Sequence, residues 1–284
     1  MTRIVYVNGE FLPLSEAKVS IFDRGLLFAD AVYEVAAVFD GKIIDFEGHI
    51  ARFHRSIGEL EIPAPLSNAE ILSAFRALIA QNGIVDGLVY MQVSRGVAER
   101  DFDWPDGLTP TVFMFAQSLP KEERVAEREG VVLRSAEDLR WARRDIKTVN
   151  LLGQALAKRK AHKEGGYEAL MIDGDGFVTE CSSSSFFMIK GQSVITRPLS
   201  KDILPGVTRQ AVLALAEEKD LAHEERRFTL AECYEADEAF ITAASLFVCP
   251  VIDIDGRPIS GGTPGPLTRR LQDIYRDFRL QHAQ

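Results

Sequence analysis

The chain has 284 residues, 46% hydrophobic and 26% charged, with a net charge of −9 and a pI near 5.2. That length suggests about two domains, and the composition is that of a soluble globular protein able to bury sizeable cores. The acidity argues against a general nucleic-acid binder, whose footprint is basic. No run approaches the roughly 18 apolar residues of a membrane span, and MTRIVYVNGEFLP at the N-terminus has no apolar targeting core. The cysteines, Cys181, Cys233 and Cys249, lack CxxC spacing. This fits a reducing compartment better than a disulfide framework or a zinc site, so a cytoplasmic, metal-free protein is expected.

Taken in chain order, Ile4–Val7 and Phe11 flank the hairpin signal Asn8-Gly9, and Val32–Phe39 and Lys42–Asp45 flank a second, Asp40-Gly41. Ile50, Phe53, Ile57 and Leu60 give Glu47–Leu60 a helical apolar stripe. Ser67-x-x-Glu70 is a capping box opening a helix that runs to about Gln81 and stops at Gly83. Leu88–Ser94 and Thr111–Ala116 read as strands joined by the polar loop RGVAERDFDWPDG. The Pro-containing polar stretch Ser118–Arg124 is the best domain boundary: a small N-terminal α/β domain, 1–118, a linker, 119–124, and a larger C-terminal domain, 125–284. Beyond it, strands are expected near Val131–Leu133, Glu168–Ile172, Phe177–Glu180, Phe186–Ile189 and Val194–Thr196. Helices are expected near Val149–Lys163, Val207–Lys219, Leu230–Tyr234 and Pro266–Phe278. The class is α+β in two halves, built on antiparallel hairpins rather than regular βαβ alternation.

Five segments carry candidate chemistry. In RRDIKTVNLL, Lys147 follows Arg143 and Arg144 and precedes Leu151 and Leu152. Desolvation and neighbouring positive charge both favour the neutral, nucleophilic amine, although most lysines on basic strips are simply solvated charges. Glu180, before Cys181 and four serines, offers a carboxylate for a protonated ring nitrogen, or is an exposed glutamate before a polar loop. ILPGVTR, Ile203–Arg209, places free N–H groups and the Thr208 hydroxyl at a helix start, which makes either an anion site or an ordinary helix start. Arg52 offers a donor fork on an amphipathic helix, and FITAASLF, Phe240–Phe247, is an apolar strand ending in small residues. An amine, a carboxylate and several anion donors together make the set that a pyridoxal phosphate enzyme needs.

The order and wording of these segments resemble the class IV pyridoxal-phosphate aminotransferases of fold type IV. That family includes D-amino acid transaminases, branched-chain aminotransferases, aminodeoxychorismate lyases and (R)-selective amine transaminases. The resemblance spans nearly the whole chain, through VNGEFLPLSEAKVSIFDRG, HIARFHRS, DIKTVNLL, VTECSSSSFF, ILPGVTR, ADEAFITAAS and DIDGRPIS. It implies a two-domain α+β fold like that of D-amino acid aminotransferase, pyridoxal 5'-phosphate as cofactor, and Lys147 as both Schiff-base lysine and proton shuttle. It makes Glu180 the partner of the pyridine nitrogen and assigns the phosphate cup to Arg52, Val207 and Thr208. Leu204 packs on the ring, and the Ala243–Ser245 turn closes the cup. Ala244 stands where relatives carry threonine, so a backbone N–H or Ser245 must supply that contact. Ser185 stands where many relatives have asparagine.

In this family the substrate is decided by the strand carrying Tyr33, Val35 and Ala37 and by the loop after Ser94. D-amino acid transaminases of the best-known type grip the α-carboxylate with a tyrosine and an R-x-H pair from the partner subunit's loop. This chain keeps Tyr33 and Arg100 but has Phe102 in place of the histidine. Together with Ala36 and Ala37, that leans the expectation toward an (R)-amine:pyruvate transaminase over a D-amino acid transaminase. A lyase of the aminodeoxychorismate type and a cofactor-binding protein without turnover are more remote. A homodimer is implied, with RGVAERDF completing the partner's site.

Overall fold

The computed structural model describes residues 2–119 and 121–284, so Pro120, in the expected linker, lies outside the described residues. The chain divides into two compact units, Met1–Leu119 with Ile146–Asn150 and His282–Gln284, and Pro120–Asp145 with Leu151–Gln281.

In the first unit, Asn8 and Gly9 take positive φ and close the hairpin of β1 (Ile4–Val7) and β2 (Glu10–Pro13). The short helix α1 (Arg24–Phe28) leads into β3 (Ala31–Phe39), which turns at Asp40-Gly41 into β4 (Lys42–Ile43). Helix α2 (Phe46–Glu59) follows, then α3 (Asn68–Asn82), which starts at the Ser67/Glu70 capping box and stops at left-handed Gly83. Strands β5 (Gly87–Ser94) and β6 (Thr111–Ser118) complete a six-stranded sheet of order β2-β1-β6-β5-β3-β4. Its strands alternate as the two-residue pleat requires. Val32, Glu34, Ala36 and Val38 are buried on one face of β3, as are Val89, Met91 and Val93 on β5. The opposite face carries Tyr33, Val35 and Ala37 and an aromatic ladder: Tyr90 stacks on Phe115 at 4.7 Å and on Tyr33 at 5.5 Å.

The stretch Ile146–Asn150 belongs to this unit rather than to the C-terminal half in which chain order places it. It lies along β3: Tyr33 N–H donates to Lys147 O at 3.0 Å, Val149 N–H donates to Ala31 O at 3.1 Å, and Val32 bridges Thr148. This pairing delays the helix expected from Val149 until Leu152.

The second unit opens with α4 (Lys121–Glu129), where the sequence suggested a link. Then come β7 (Val131–Glu137), α5 (Leu152–Lys163), β8 (Glu168–Ile172), β9 (Val178–Cys181), β10 (Ser185–Lys190) and β11 (Ser193–Thr196). They are followed by α6 (Val207–Glu218), β12 (His223–Glu225), α7 (Leu230–Tyr234), β13 (Glu238–Ala243), β14 (Phe247–Ile254), β15 (Arg257–Pro258) and α8 (Pro266–His282). The sheet runs β12-β11-β10-β13-β14-β7-β8-β9, with β15 on β14. Here β7 and β8 pair in parallel with α5 between them, a βαβ unit that the hairpin-based expectation did not include. The apolar run Phe240–Phe247 is two strands, not one: β13 ends at Ala243 and β14 begins at Phe247. Leu133, Leu170, Phe186, Phe228, Ile241 and Val251 lie in the core around this sheet.

One buried ionic knot ties α2 to β3. Glu34, 2% exposed, accepts from Arg52 Nε at 2.7 Å on Oε1 and from Nη2 at 2.8 Å on Oε2, and His49 Nδ1 lies 2.8 Å from Oε2. Burial pushes the carboxyl up, but the Arg52 charge and the bonds from Arg52 and His49 outweigh it and hold the pKa at about 2. A depressed carboxylate stabilises the fold above its unfolded-state value and loses that stabilisation as pH falls toward the folded value. Linkage makes this about 3 kcal/mol. Glu34→Gln should therefore cost about 3–5 kcal/mol at pH 7, because Arg52 is left buried without its partner. Urea titrations should show the gap to wild type shrinking as pH drops from about 4.5 toward 2. A gap independent of pH would exclude the ionised carboxylate as its source.

Candidate active site

Two clusters of the expected site residues form, one in each unit. In the first, the backbone of Lys147 is fixed on both sides, its N–H donating to Ser56 Oγ at 3.3 Å and its carbonyl accepting from Tyr33. Its Nζ stands 4.1 Å above the centre of the Tyr33 ring, a cation–π contact. Val35 and Ala37 share the Tyr33 face of β3 by the pleat. Arg52 is not on that face, because it reaches Glu34, which points to the α2 side. The cations that the sequence sets beside Lys147 are themselves matched by carboxylates. Arg143 Nε pairs with Asp145 at 3.0 Å, and Arg144 stands 3.5 Å from Asp138 and 3.6 Å from Asp202. Neighbouring positive charge therefore acts on Lys147 less than the sequence suggests.

Arg100 and Phe102 come together beside Phe28, on the loop between β5 and β6. The Arg100 guanidinium lies 5.6 Å from the Phe28 ring and 5.8 Å from the Phe102 ring, and Phe102 is 78% exposed. Main-chain contacts hold the loop: Arg24 Nη1 donates to Asp101 O at 2.7 Å and Nη2 to Phe102 O at 3.3 Å, while its Nε pairs with Asp30. Trp104 lies under Arg95, 3.9 Å from guanidinium to ring centre.

In the second unit, Glu180 sits on β9, buried, and both of its hydrogen bonds fall on Oε1, from Arg140 Nη1 at 2.5 Å and from Leu204 N–H at 3.1 Å. Arg140 is shared: Nε and Nη2 donate to Asp138 at 2.9 and 2.7 Å, and Asp138 also accepts from the Thr179 hydroxyl at 2.7 Å. Burial raises the pKa of Glu180 above the ordinary glutamate value, and Arg140 with the Leu204 N–H opposes this only in part. Leu204 leads into Gly206, the N-cap of α6, which has no side-chain cap bond. The first-turn N–H groups, those of Val207 and Thr208 among them, thus have no partner inside the helix. A Cβ on Gly206 would come within 2.8 Å of Ser185 Oγ, so glycine is required there for Ser185 to approach the helix start. Ala244 and Ser245 occupy the half-buried turn between β13 and β14.

Sequence reasoning missed Arg140, Asp138, Ser56 and the Glu34–His49 pair. Ser56 lies one helical turn beyond Arg52, so α2's periodicity held a signal for it. Arg140 and Glu180 are 40 positions apart and only the fold joins them. In the second unit the residues present fit a phosphate-bearing pyridine, with an uncapped helix start for the anion and a buried carboxylate whose Oε2 is unbonded among the described residues; in the first, a lysine is fixed through its backbone.

The family model for amino-transferase class IV matches residues 31–254. The chain is 41% identical to the D-alanine aminotransferase of Bacillus licheniformis over 98% of both chains. It is 38% identical to that of Staphylococcus aureus, covering 98% of this chain and 99% of that one. Among solved structures, the T.th. branched-chain amino acid aminotransferase with pyridoxamine 5'-phosphate superposes with a TM-score of 0.89 at 27% identity, covering 98% of this chain and 94% of that one. The Escherichia coli branched-chain enzyme shares the fold at a TM-score of 0.92 and 24% identity, over 100% and 97% of the two chains. The chain belongs to the class IV aminotransferases and is a pyridoxal 5'-phosphate-dependent transaminase of fold type IV.

Proposed function

We propose that this aminotransferase moves an amino group between a D-amino acid and a 2-keto acid such as pyruvate or 2-oxoglutarate. The observation that carries the reading is Lys147 Nζ over the Tyr33 ring, an amine beside a hydroxyl-bearing ring on the strand face that also holds Val35 and Ala37. The relatives at 41% and 38% identity, named as D-alanine aminotransferases, support it. Bound pyridoxal phosphate supplies an electron sink and a temporary carrier for the amino group. Lys147 holds the cofactor and then moves the proton at the substrate α-carbon through Nζ. Glu180 holds the ring nitrogen's proton through Oε2, with Oε1 kept in place by Arg140 and the Leu204 N–H. Val207 and Thr208 receive the phosphate on free N–H groups, Leu204 packs on the ring, and Ser185 and the Ala244–Ser245 turn line the cup. Arg52 adds positive charge toward the phosphate while remaining tied to Glu34.

Phe102 favours a second reading, the (R)-amine:pyruvate transaminase toward which the sequence leans. A phenyl ring donates no hydrogen bond to a carboxylate and prefers an apolar partner. The aromatic ladder of Tyr33, Tyr90 and Phe115 suits the same substrates. Arg100 serves both modes, swinging in for a carboxylate and out for an aryl group. The exposed Ile21, Leu26 and Phe102 support a homodimer, in which the Arg100–Phe102 loop serves the partner's site. Three buried free thiols accord with a cytoplasmic protein.

Lys147→Ala should abolish the yellow holoenzyme's long-wavelength absorbance and lower turnover by about 10³-fold or more; wild-type rates from pure variant would remove Lys147 from the mechanism. Rapid mixing of holoenzyme with D-alanine, in parallel with (R)-1-phenylethylamine, should bleach that band faster with D-alanine. Faster bleaching by the aryl amine would transfer the assignment to the second reading. Arg100→Ala should lower kcat/KM for D-alanine by about 10–100-fold, the size of a lost charge-assisted hydrogen bond, and spare the aryl amine. Equal losses on both substrates would show that Arg100 does not read the carboxylate.

A further inference from the structure

One buried hydroxyl beside the α6 start has no partner. Thr242 is 3% exposed, yet its Oγ1 makes no hydrogen bond among the described residues. Two other buried threonines of this unit use theirs, Thr179 on Asp138 and Thr196 on Phe186 O at 2.8 Å, while Thr268, on α8 rather than beside α6, is likewise unpartnered among the described residues. Burying a hydroxyl without a partner costs free energy, so such a group calls for an explanation.

Its position supplies one. Thr242 lies directly across from Ser185 in the β10–β13 pair. Directly opposed residues project from the same face of a sheet, with Cβ atoms about 5 Å apart. On that face Ser185 Oγ already reaches the α6 N-cap, within 2.8 Å of where a Cβ on Gly206 would stand. The first turn of α6 has free N–H groups and no side-chain cap, and it carries the positive end of a 12-residue helix. Arg209 in that turn sends its Nη2 elsewhere, to Arg197 O at 2.8 Å and Glu225 at 2.6 Å, and its Nε is left without a partner among the described residues. Two residues further on, in the turn after β13, Ala244 has no donor group in its side chain.

We infer that the Thr242 hydroxyl is an anion donor of the α6 cradle, acting with Ser185 and the Val207 and Thr208 N–H groups to hold the cofactor's phosphate. This rests on the proposal that the cradle receives that phosphate. The orphaned donor is then satisfied when the anion is bound, so part of the cost of burying it is recovered as cofactor affinity.

The test is a titration of full-length apoenzyme with pyridoxal 5'-phosphate and, in parallel, with pyridoxal, which lacks the phosphate. Wild type, Thr242→Val and Thr242→Ser are compared, and melting temperatures are read without cofactor. Valine keeps the shape and removes the hydroxyl. Thr242→Val should weaken pyridoxal phosphate about tenfold, leave pyridoxal unchanged, and leave apoenzyme melting unchanged or raised, with Thr242→Ser restoring the affinity. Inorganic phosphate should compete less well against pyridoxal phosphate for the variant. Equal affinity for pyridoxal phosphate in wild type and Thr242→Val would overturn the inference while leaving the cradle intact. An equal loss for pyridoxal, or a Thr242→Val that fails to fold while Thr242→Ser folds, would assign the hydroxyl to the fold and overturn it as well. If wild type itself binds pyridoxal as tightly as its phosphate, the cradle reading fails, and this inference with it.

Discussion

The pairing of Ile146–Asn150 along β3 is the constraint on which the lysine's place depends. A backbone must satisfy its own polar groups before a side chain on it can be aimed. Here Ser56 Oγ takes the Lys147 N–H, the Tyr33 N–H reaches the Lys147 carbonyl, and Ala31 O takes the Val149 N–H. The four-carbon stem is left as the only adjustable part, and it places Nζ over the Tyr33 ring. The same pairing ties the lysine to a strand whose other face is locked to α2 through Glu34 and Arg52. A shift of that strand by one residue would turn Tyr33 away from the lysine and Glu34 out of its knot together.

Glu34 and Glu180 show how partners decide what a buried carboxylate does. Both are buried and both bond to an arginine, and burial acts on both to favour the neutral acid. Glu34 receives a bidentate Arg52 and a histidine as well, and its pKa ends near 2, that of a permanently ionised structural group. Glu180 has only one arm of an arginine whose other arm is held by Asp138, and its pKa ends above the ordinary range. A carboxyl in that state has unmet demand for positive charge, which is what the proposed function asks of it. The divided Arg140 orients Oε1 without saturating the group.

The elements with strong local signals were legible in the sequence: both Gly-containing hairpin turns, the Ser67–Glu70 box, the apolar stripe of α2 and the proline that starts α8. What could not be read came from pairing at long range. The lysine segment continues smoothly into a helical pattern, and nothing local says that its first five residues extend along β3. Arg52 has the composition of an anion donor, but the fold commits it first to Glu34, a residue 18 positions earlier. The basic run around Lys147 loses its meaning once Asp145, Asp138 and Asp202 are placed beside those arginines. At Glu180 the motif pointed to a carboxylate, while the reason for its raised proton affinity, burial that a guanidinium shared with Asp138 offsets only in part, required coordinates.

The positions that the proposed function makes substrate-reading, by contrast, sit where the fold makes few demands on side chains. The two-residue period of β3 sends Glu34 to the ionic knot and Tyr33, Val35 and Ala37 to the aromatic face, so substitutions at the latter positions leave the knot untouched. The loop bearing Arg100 and Phe102 is held by its carbonyls, which Arg24 grips at residues 101, 102 and 103 whatever their side chains are. A histidine or a phenylalanine at 102 is therefore presented from the same backbone. Carboxylate-reading and aryl-accepting enzymes can thus be built on one scaffold with little cost in stability. That is how a chain with clear D-alanine aminotransferase relatives can carry a phenylalanine at 102 without a change in the backbone that presents it.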